Sequence, residues 1–319
     1  MKRFVLSRLA ALVPIVLIVS FGTFILVHLI HGNPVDAICK AACDAAARAK
    51  LTHQMGLDRP VLTQYWLYLT HLFQGNLGTS YVNGGETVAH ALGVAAPVTL
   101  ELVIISQLLA MIFAFPMAIF SALRPDHRFD RFSSKVSFGL LAVPALVVGP
   151  FLVVLFAIDI HLFPATGYIS LTTNPAQNLH DMVLPVVTLA IGSIAVYHRI
   201  LRADLVATFQ EDYITMARAK GLPTRYIVLR HALRPSMLTF VTLAAQNIGF
   251  LIAGAIVVEF IFGLPGLGSL LINSINQSDY LMVQGGVLVI TVAFVLLNLL
   301  ADMANGLLDP RIRRQGAMA

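Results

Sequence analysis

Charge is what this chain most conspicuously lacks. Of its 319 residues only 12% are Asp, Glu, Lys or Arg, and 58% are hydrophobic. A soluble globular domain carries about 25% charged residues, so lipid is the expected solvent for much of the surface. The chain has two cysteines and one tryptophan, which excludes a disulfide-stapled secreted scaffold. It contains no Gly-x-x-x-x-Gly-Lys-Ser/Thr string and therefore no P-loop of its own. His-Glu-x-x-His and Gly-x-Ser-x-Gly are also missing, so zinc-protease and serine-hydrolase chemistry have no motif to rest on. An intramembrane enzyme would need a nucleophile and a base within the apolar runs, and Ser106 and Ser137 have no evident partner in the sequence. A secondary transporter would show inverted repeats and paired intramembrane charges, and neither is clear. The net charge of +5 could suit nucleic acid, but the basic residues lie in short gaps between apolar runs, which argues against it.

Crossing the hydrocarbon core takes about 20 apolar residues at about 1.5 Å each. Six stretches meet or approach that length: 9–30, 98–123, 136–158, 182–197, 237–262 and 281–300. Pro116, Pro144, Pro150 and Pro185 fall inside them, and neighbouring helices can satisfy the backbone groups that prolines free. Lys2, Arg3 and Arg8 ahead of the first run imitate a secretion signal. The run is too long for one and lacks a small-x-small cleavage site, so the expectation is an uncleaved span. Of the 21 Lys and Arg, 17 fall on one set of alternating sides and four on the other. The positive-inside rule then places both termini and the 199–236 loop in the cytoplasm.

The long outer loop, about 31–97, has structure of its own. Asn33, Pro34 and Asp36 read as the start of a helix through the Ala-rich 37–51 stretch. A second, amphipathic helix is expected over 61–73, carrying Tyr65, Trp66, Tyr68 and Phe73 toward an interface. Cys39 and Cys43 stand one helical turn apart and are read as small residues, a disulfide or, least favoured, part of a metal site.

The most informative segment runs from Gln210 to Pro235. Glu211 and Asp212 suit a helix start, and Arg218 and Lys220 fall in the last turn of a short helix that carries Ala217 and Ala219. Gly221 supplies a left-handed cap, with Pro223 preventing continuation. Small residues on an exposed helix let another protein approach closely. A second helix from about Arg225 leads into the fifth run.

Here the sequence resembles a known family. Tyr213-x3-Ala217-Arg-Ala-Lys-Gly-Leu222 followed by Leu229-Arg-His-Ala-Leu-Arg234 is similar to the cytoplasmic loop of binding-protein-dependent ABC importer permeases, in the branch of the oligopeptide, dipeptide, glutathione and nickel systems. The general signature is Glu-Ala-Ala, three residues, Gly. Thr215-Met216-Ala217 stands at the triplet, so only Ala217 and Gly221 match it. Further strings resemble the family in order along the chain: Gly56-Leu-Asp-Arg-Pro60, Gly75-Asn-Leu-Gly-Thr-Ser80, Ala96-Pro-Val-Thr-Leu-Glu-Leu102, Val258-Glu-Phe-Ile-Phe-Gly-Leu-Pro-Gly-Leu-Gly268, Asp279-Tyr280 and Leu308-Asp-Pro-Arg-Ile-Arg313.

The resemblance implies an all-α membrane protein with the six-helix, type I importer permease (MetI-like) fold. Its expected parts are 1–97, the first transmembrane helix and the outer loop; 98–308, a core of five helices with the coupling loop; and 309–319, a tail. It implies a transport subunit that binds no cofactor, with ATP and Mg on partner subunits. The implied partners are a homologous second permease, two cytoplasmic ATPases, an extracytoplasmic binding protein and membrane lipid, with no nucleic acid. Ala217, Arg218, Ala219, Lys220 and Gly221 would be the coupling element. Glu101, Glu259, Gln246 and Asn247, polar residues in or at the edge of spans, are candidates for the translocation path, against the plainer readings of capping or helix–helix hydrogen bonding. His28, His161 and His180 sit near span ends, where an interfacial imidazole is ordinary, and a nickel path built on them is the lesser reading. Peptides are the expected substrate class, with glutathione and nickel as alternatives.

Overall fold

The computed structural model describes residues 2–29, 35, 39, 44–54, 56–80, 82 and 84–308. Asn33, Pro34, Asp36, Cys43 and the 309–319 tail lie outside the described residues, as does the side chain of His28. By their contacts the residues form two compact units. One is built on Thr99–Leu264, and the other on Val5–Val98 with Pro265–Val295.

In the second unit, α1 spans Lys2–Leu29 and its apolar described stretch is Val13–Leu26. Helix α2 is Ala45–Gln54, and α3 is Val61–Phe73, the amphipathic helix expected from the sequence. Tyr65 and Tyr68 of α3 turn toward α1 and meet Phe24, with ring centroids 5.3 and 6.4 Å away. Tyr65 Oη shares a 3.1 Å hydrogen bond with Ser20 Oγ, while Trp66 and Phe73 stay exposed. Cys39 is buried and disulfide-bonded, and the sequence holds one other cysteine, Cys43.

Four helices among the described residues are long and apolar enough to cross a membrane, and a bent pair makes a fifth. Helix α4, Val88–Leu123, and α7, Pro175–Phe209, are 36 and 35 residues long. Both outrun the apolar stretches read from the sequence, because their ends stay helical past the hydrophobic core. Asn174 caps α7 by accepting from the Gln177 N–H, with Pro175 at the first position.

The third expected span is not one helix. Helix α5, Arg128–Ala142, and α6, Ala145–Leu152 with its π-helical continuation Val153–Asp159, meet at 102°. Proline pushes the preceding residue out of the helical region. Val143 is accordingly extended at φ −99, ψ 117, and Pro144 follows at φ −64, ψ 146. Pro185, by contrast, is absorbed within α7.

Helix α8, Asp212–Ala219, follows α7 closely. The chain then turns through Thr224–Tyr226 and a π-helical stretch, Ile227–Ala232, into α9, Leu233–Phe262. Helix α10, Leu267–Asn276, and α11, Tyr280–Leu308, complete the chain. Gly263 ends α9 in the left-handed region at φ 64, and Gly266 stands at the N-cap of α10. Asp279 caps α11 by accepting from Met282 N–H at 3.3 Å and receives a hydrogen bond from Ser80 Oγ.

The core of the first unit is built on small residues. Ala110, Ala114, Ala118 and Ala122 form an i, i+4 stripe on α4, packed with Ala190, Tyr197, Leu201 and Leu205 of α7 and with Phe240 and Ala244 of α9. Small side chains let membrane helices approach closely, which is how they gain van der Waals energy without a hydrophobic drive from water.

Candidate functional site

The short helix α8 is fastened to the first unit along one face. Ile214 and Ala217, three residues apart, are buried in the same cluster as Leu201, Leu205 and Ile227. Its opposite face shows Tyr213 and Met216, the latter 59% exposed, also three residues apart and therefore neighbours on the surface. Arg218, Ala219 and Lys220 are exposed. Arg218 places its guanidinium 5.9 Å from the Phe209 ring.

Gly221 ends the helix at φ 76, in the left-handed region. The N–H of Leu222 donates to Ala217 O at 3.3 Å and that of Gly221 to Arg218 O at 2.9 Å. This 6→1 and 5→2 pairing satisfies carbonyls that the helix end leaves open. Leu222 packs on the cluster that holds Ile214 and Ala217, which completes the motif. The backbone reading of this segment matches the structure, but Ala217 differs from expectation. It is only 6% exposed and faces the permease core, because the eight-residue helix puts Ile214 and Ala217 on one side. Ala219 is the small residue that stays on the outer side.

The candidate path residues do not form one group. Glu259 is fully buried and accepts from Thr99 Oγ1 at 2.6 Å. Glu101 accepts from Tyr168 Oη at 2.8 Å, and its other oxygen, Oε1, is buried with no partner. Burial, and then this carboxylate, push the Tyr168 hydroxyl up to about 12. Asn247 donates to Ser193 Oγ of α7 at 2.7 Å, the helix–helix bond that the plainer reading allows. Gln246 is exposed.

Two polar clusters around α7 escaped the sequence reading. Ser137, read as lacking a partner, lies 2.8 Å from His198 Nδ1, and Ser121 lies 3.2 Å from Nε2 of the same ring. Ser121 also bonds Ser133 at 2.9 Å. One turn on, Arg202 grips Asp130 of α5 through both Nε and Nη2, the latter at 2.6 Å. Ser137 and His198 are buried, and the pair ties α5 to α7. The second cluster is neutral. Tyr197 Oη donates to Gln107 Oε1 at 2.8 Å, and Gln107 Nε2 donates to Ala244 O at 3.4 Å. Ser106, also read as unpaired, donates to Val186 O at 3.3 Å. Among the described residues no three of His, Cys, Asp and Glu come together as a metal-binding group. His180 Nε2 lies 3.1 Å from Leu162 O, and His161 is exposed.

Apolar helices long enough to cross a membrane, joined through small and buried polar side chains, with a capped, half-buried helix between two of them, describe an integral membrane protein. The comparisons carry this further. Residues 114–314 match the model of the family described as binding-protein-dependent transport system inner membrane component, and residues 1–103 match its N-terminal counterpart. The chain belongs to this family of ABC importer permeases and is a multi-pass protein of the inner membrane. It is 35% identical over 313 residues to the glutathione transport system permease protein GsiC of Salmonella paratyphi A, across 98% of this chain and 99% of the relative. It is 34% identical over the same shares to GsiC of Escherichia coli K12. Among solved structures it is similar to the MetNI methionine ABC transporter in an inward-facing conformation, with a TM-score of 0.57 and 17% identity, covering 69% of this chain and 97% of that one. That likeness supports the MetI-type fold.

Proposed function

We propose that this permease moves short peptides across the cytoplasmic membrane as one half of a pair, driven by two ATPases that carry the ATP and Mg sites, with substrate handed over by an extracytoplasmic binding protein. The observation that carries the coupling part is α8, anchored through Ile214 and Ala217 and offering Tyr213, Met216 and Ala219 outward. A force applied to that outer face passes into the core that α7 and α9 share. Arg218, Lys220 and Gly221 complete the element. Gly221 meets nothing within 4 Å of an added Cβ, so its requirement is conformational. The distribution of basic residues supports the reading that both termini and α8 are cytoplasmic. Peptides are favoured by the resemblance to peptide systems. Glutathione is the second reading, favoured by the name of the GsiC relatives.

Crosslinking tests the coupling. A cysteine replacing Met216 is expected to crosslink to an ATPase subunit in a nucleotide-dependent way, and one replacing Ala217 is not. Gly221→Val costs about 1–2 kcal/mol of local strain and is expected to abolish uptake and binding-protein-stimulated ATPase while the protein still inserts. Normal uptake by Gly221→Val with no crosslink from position 216 would remove α8 from the coupling role. Purified alone, the chain is expected to hydrolyse no ATP. An impermeant thiol reagent applied to intact cells is expected to miss a cysteine placed at Thr224, and labelling there would reverse the orientation. Uptake of dipeptides and of glutathione by the reconstituted complex decides between the two substrate readings.

A further inference from the structure

The second unit carries a half-open pocket of about 540 Å³ that belongs to neither the coupling element nor the candidate path. Small-molecule sites run from about 300 to 1,000 Å³, so its size suits a ligand. Its polar lining is left incomplete. The Tyr68 hydroxyl is buried with no hydrogen-bond partner. Gln284 is only 3% exposed and lines the cavity. Buried polar groups are almost always satisfied, so the open Tyr68 hydroxyl calls for a third party.

The character of the lining says what that party is. Arg59, an exposed residue of the lining, is the one with a fixed positive charge. Asn76 spends its carbonyl oxygen on the Gly78 N–H at 2.9 Å, which leaves its NH2 group as a donor. No Asp or Glu stands among the described lining residues, whereas Phe24 and Leu281 supply apolar wall. The described lining therefore offers donors and one fixed positive charge beside an apolar surface, and the neighbouring carboxylate, Asp58, is already taken up by His53 at 2.8 Å. A carboxylate is the complementary head group, because it accepts from guanidinium, hydroxyl and amide at once.

We propose that this cavity binds a small organic carboxylate with an apolar body, as at the C-terminal end of a short apolar peptide. Arg59 holds the charge, and Tyr68, Asn76 and Gln284 complete the acceptor's hydrogen bonds. Choosing a peptide as the source of the carboxylate rests on the substrate reading above; the donor chemistry of the cavity does not.

The probe is radiolabelled N-acetyl-leucyl-phenylalanine, whose acetyl group removes the amino charge that the lining has no means to receive. Equilibrium binding is measured on the whole importer complex in phosphatidylcholine nanodiscs, without the binding protein. Saturable binding is expected. Arg59→Gln should weaken it about tenfold and Tyr68→Phe about threefold, consistent with loss of charge-assisted and neutral hydrogen bonds respectively. The C-terminal amide of the same probe should bind wild type about tenfold more weakly and lose nothing further in Arg59→Gln. Both variants remove only polar atoms, and an unchanged melting temperature checks that they fold. Equal binding by wild type and variants, or by acid and amide, overturns the proposal. So does Arg59-dependent retention of phosphatidylglycerol with no peptide binding, which would make this a lipid headgroup site. Import that proceeds without Arg59-dependent binding defeats this inference alone. Carboxylate binding in a complex that imports no peptide defeats only the substrate reading.

Discussion

Helix α7 is held to its neighbours by different chemistry. Toward α5 it uses ions and an imidazole, with Arg202 on Asp130 and His198 on Ser137. Toward α4 and α9 it uses no ion pair, with Tyr197 on Gln107, His198 on Ser121 and Ser193 on Asn247. The two attachments have different breaking costs. Removing one partner of a buried ion pair strands a charge and costs about 3–5 kcal/mol. Hydrogen bonds between membrane helices average about 0.6 kcal/mol, because a loosened group soon finds another partner. The α5–α7 attachment is thus the costlier one to break and the α7–α9 attachment the cheaper.

The largest effect expected from breaking this contrast is Arg202→Leu, which leaves Asp130 buried and unpaired. It should destabilise the protein by roughly 3–5 kcal/mol, read as a lower melting temperature in detergent and poor recovery from membranes. Adding Asp130→Leu to that variant should restore most of the loss, because no charge is then stranded. If the double variant is no better than the single, the ion pair does more than fill its own site. Ser137→Ala comes next. It leaves a nitrogen of His198 without a partner and should cost about 1–3 kcal/mol in the same melt. Asn247→Ala should cost least, about 0.6 kcal/mol, while altering uptake more than stability. A larger melting loss for Asn247→Ala than for Arg202→Leu would invert the assignment of costlier and cheaper attachments.

What the sequence made legible was local punctuation. Asp212, Gly221 and Pro223 bracket α8 because caps and breakers act within a few residues, and 61–73 was readable because its aromatics follow the helical period. Pro144 and Pro185 look alike in sequence, yet one breaks its span and the other does not. Whether neighbours can satisfy a freed carbonyl is a tertiary fact. His198 fell just past the apolar run that ends at Tyr197 and so resembled a loop residue, but the helix continues to Phe209 and buries it. Its partner Ser137 lies 61 residues away, beyond any spacing rule. The inward turn of Ala217 was hidden because a short helix with Ile214, Met216 and Tyr213 offers apolar groups on both faces.

That inward turn has a consequence for how related importers stay apart in one cell. The Ile214–Ala217 face of α8 packs into the core, and on the proposed coupling role the Tyr213–Met216 face is the one that meets the ATPase. A substitution on the outer face disturbs no core packing, so that face is free to drift with its ATPase while the fold stays constant. Paralogous systems can therefore acquire private pairings by changing a few outward side chains. Moving the outer face of α8 from one permease to another should carry the choice of ATPase with it.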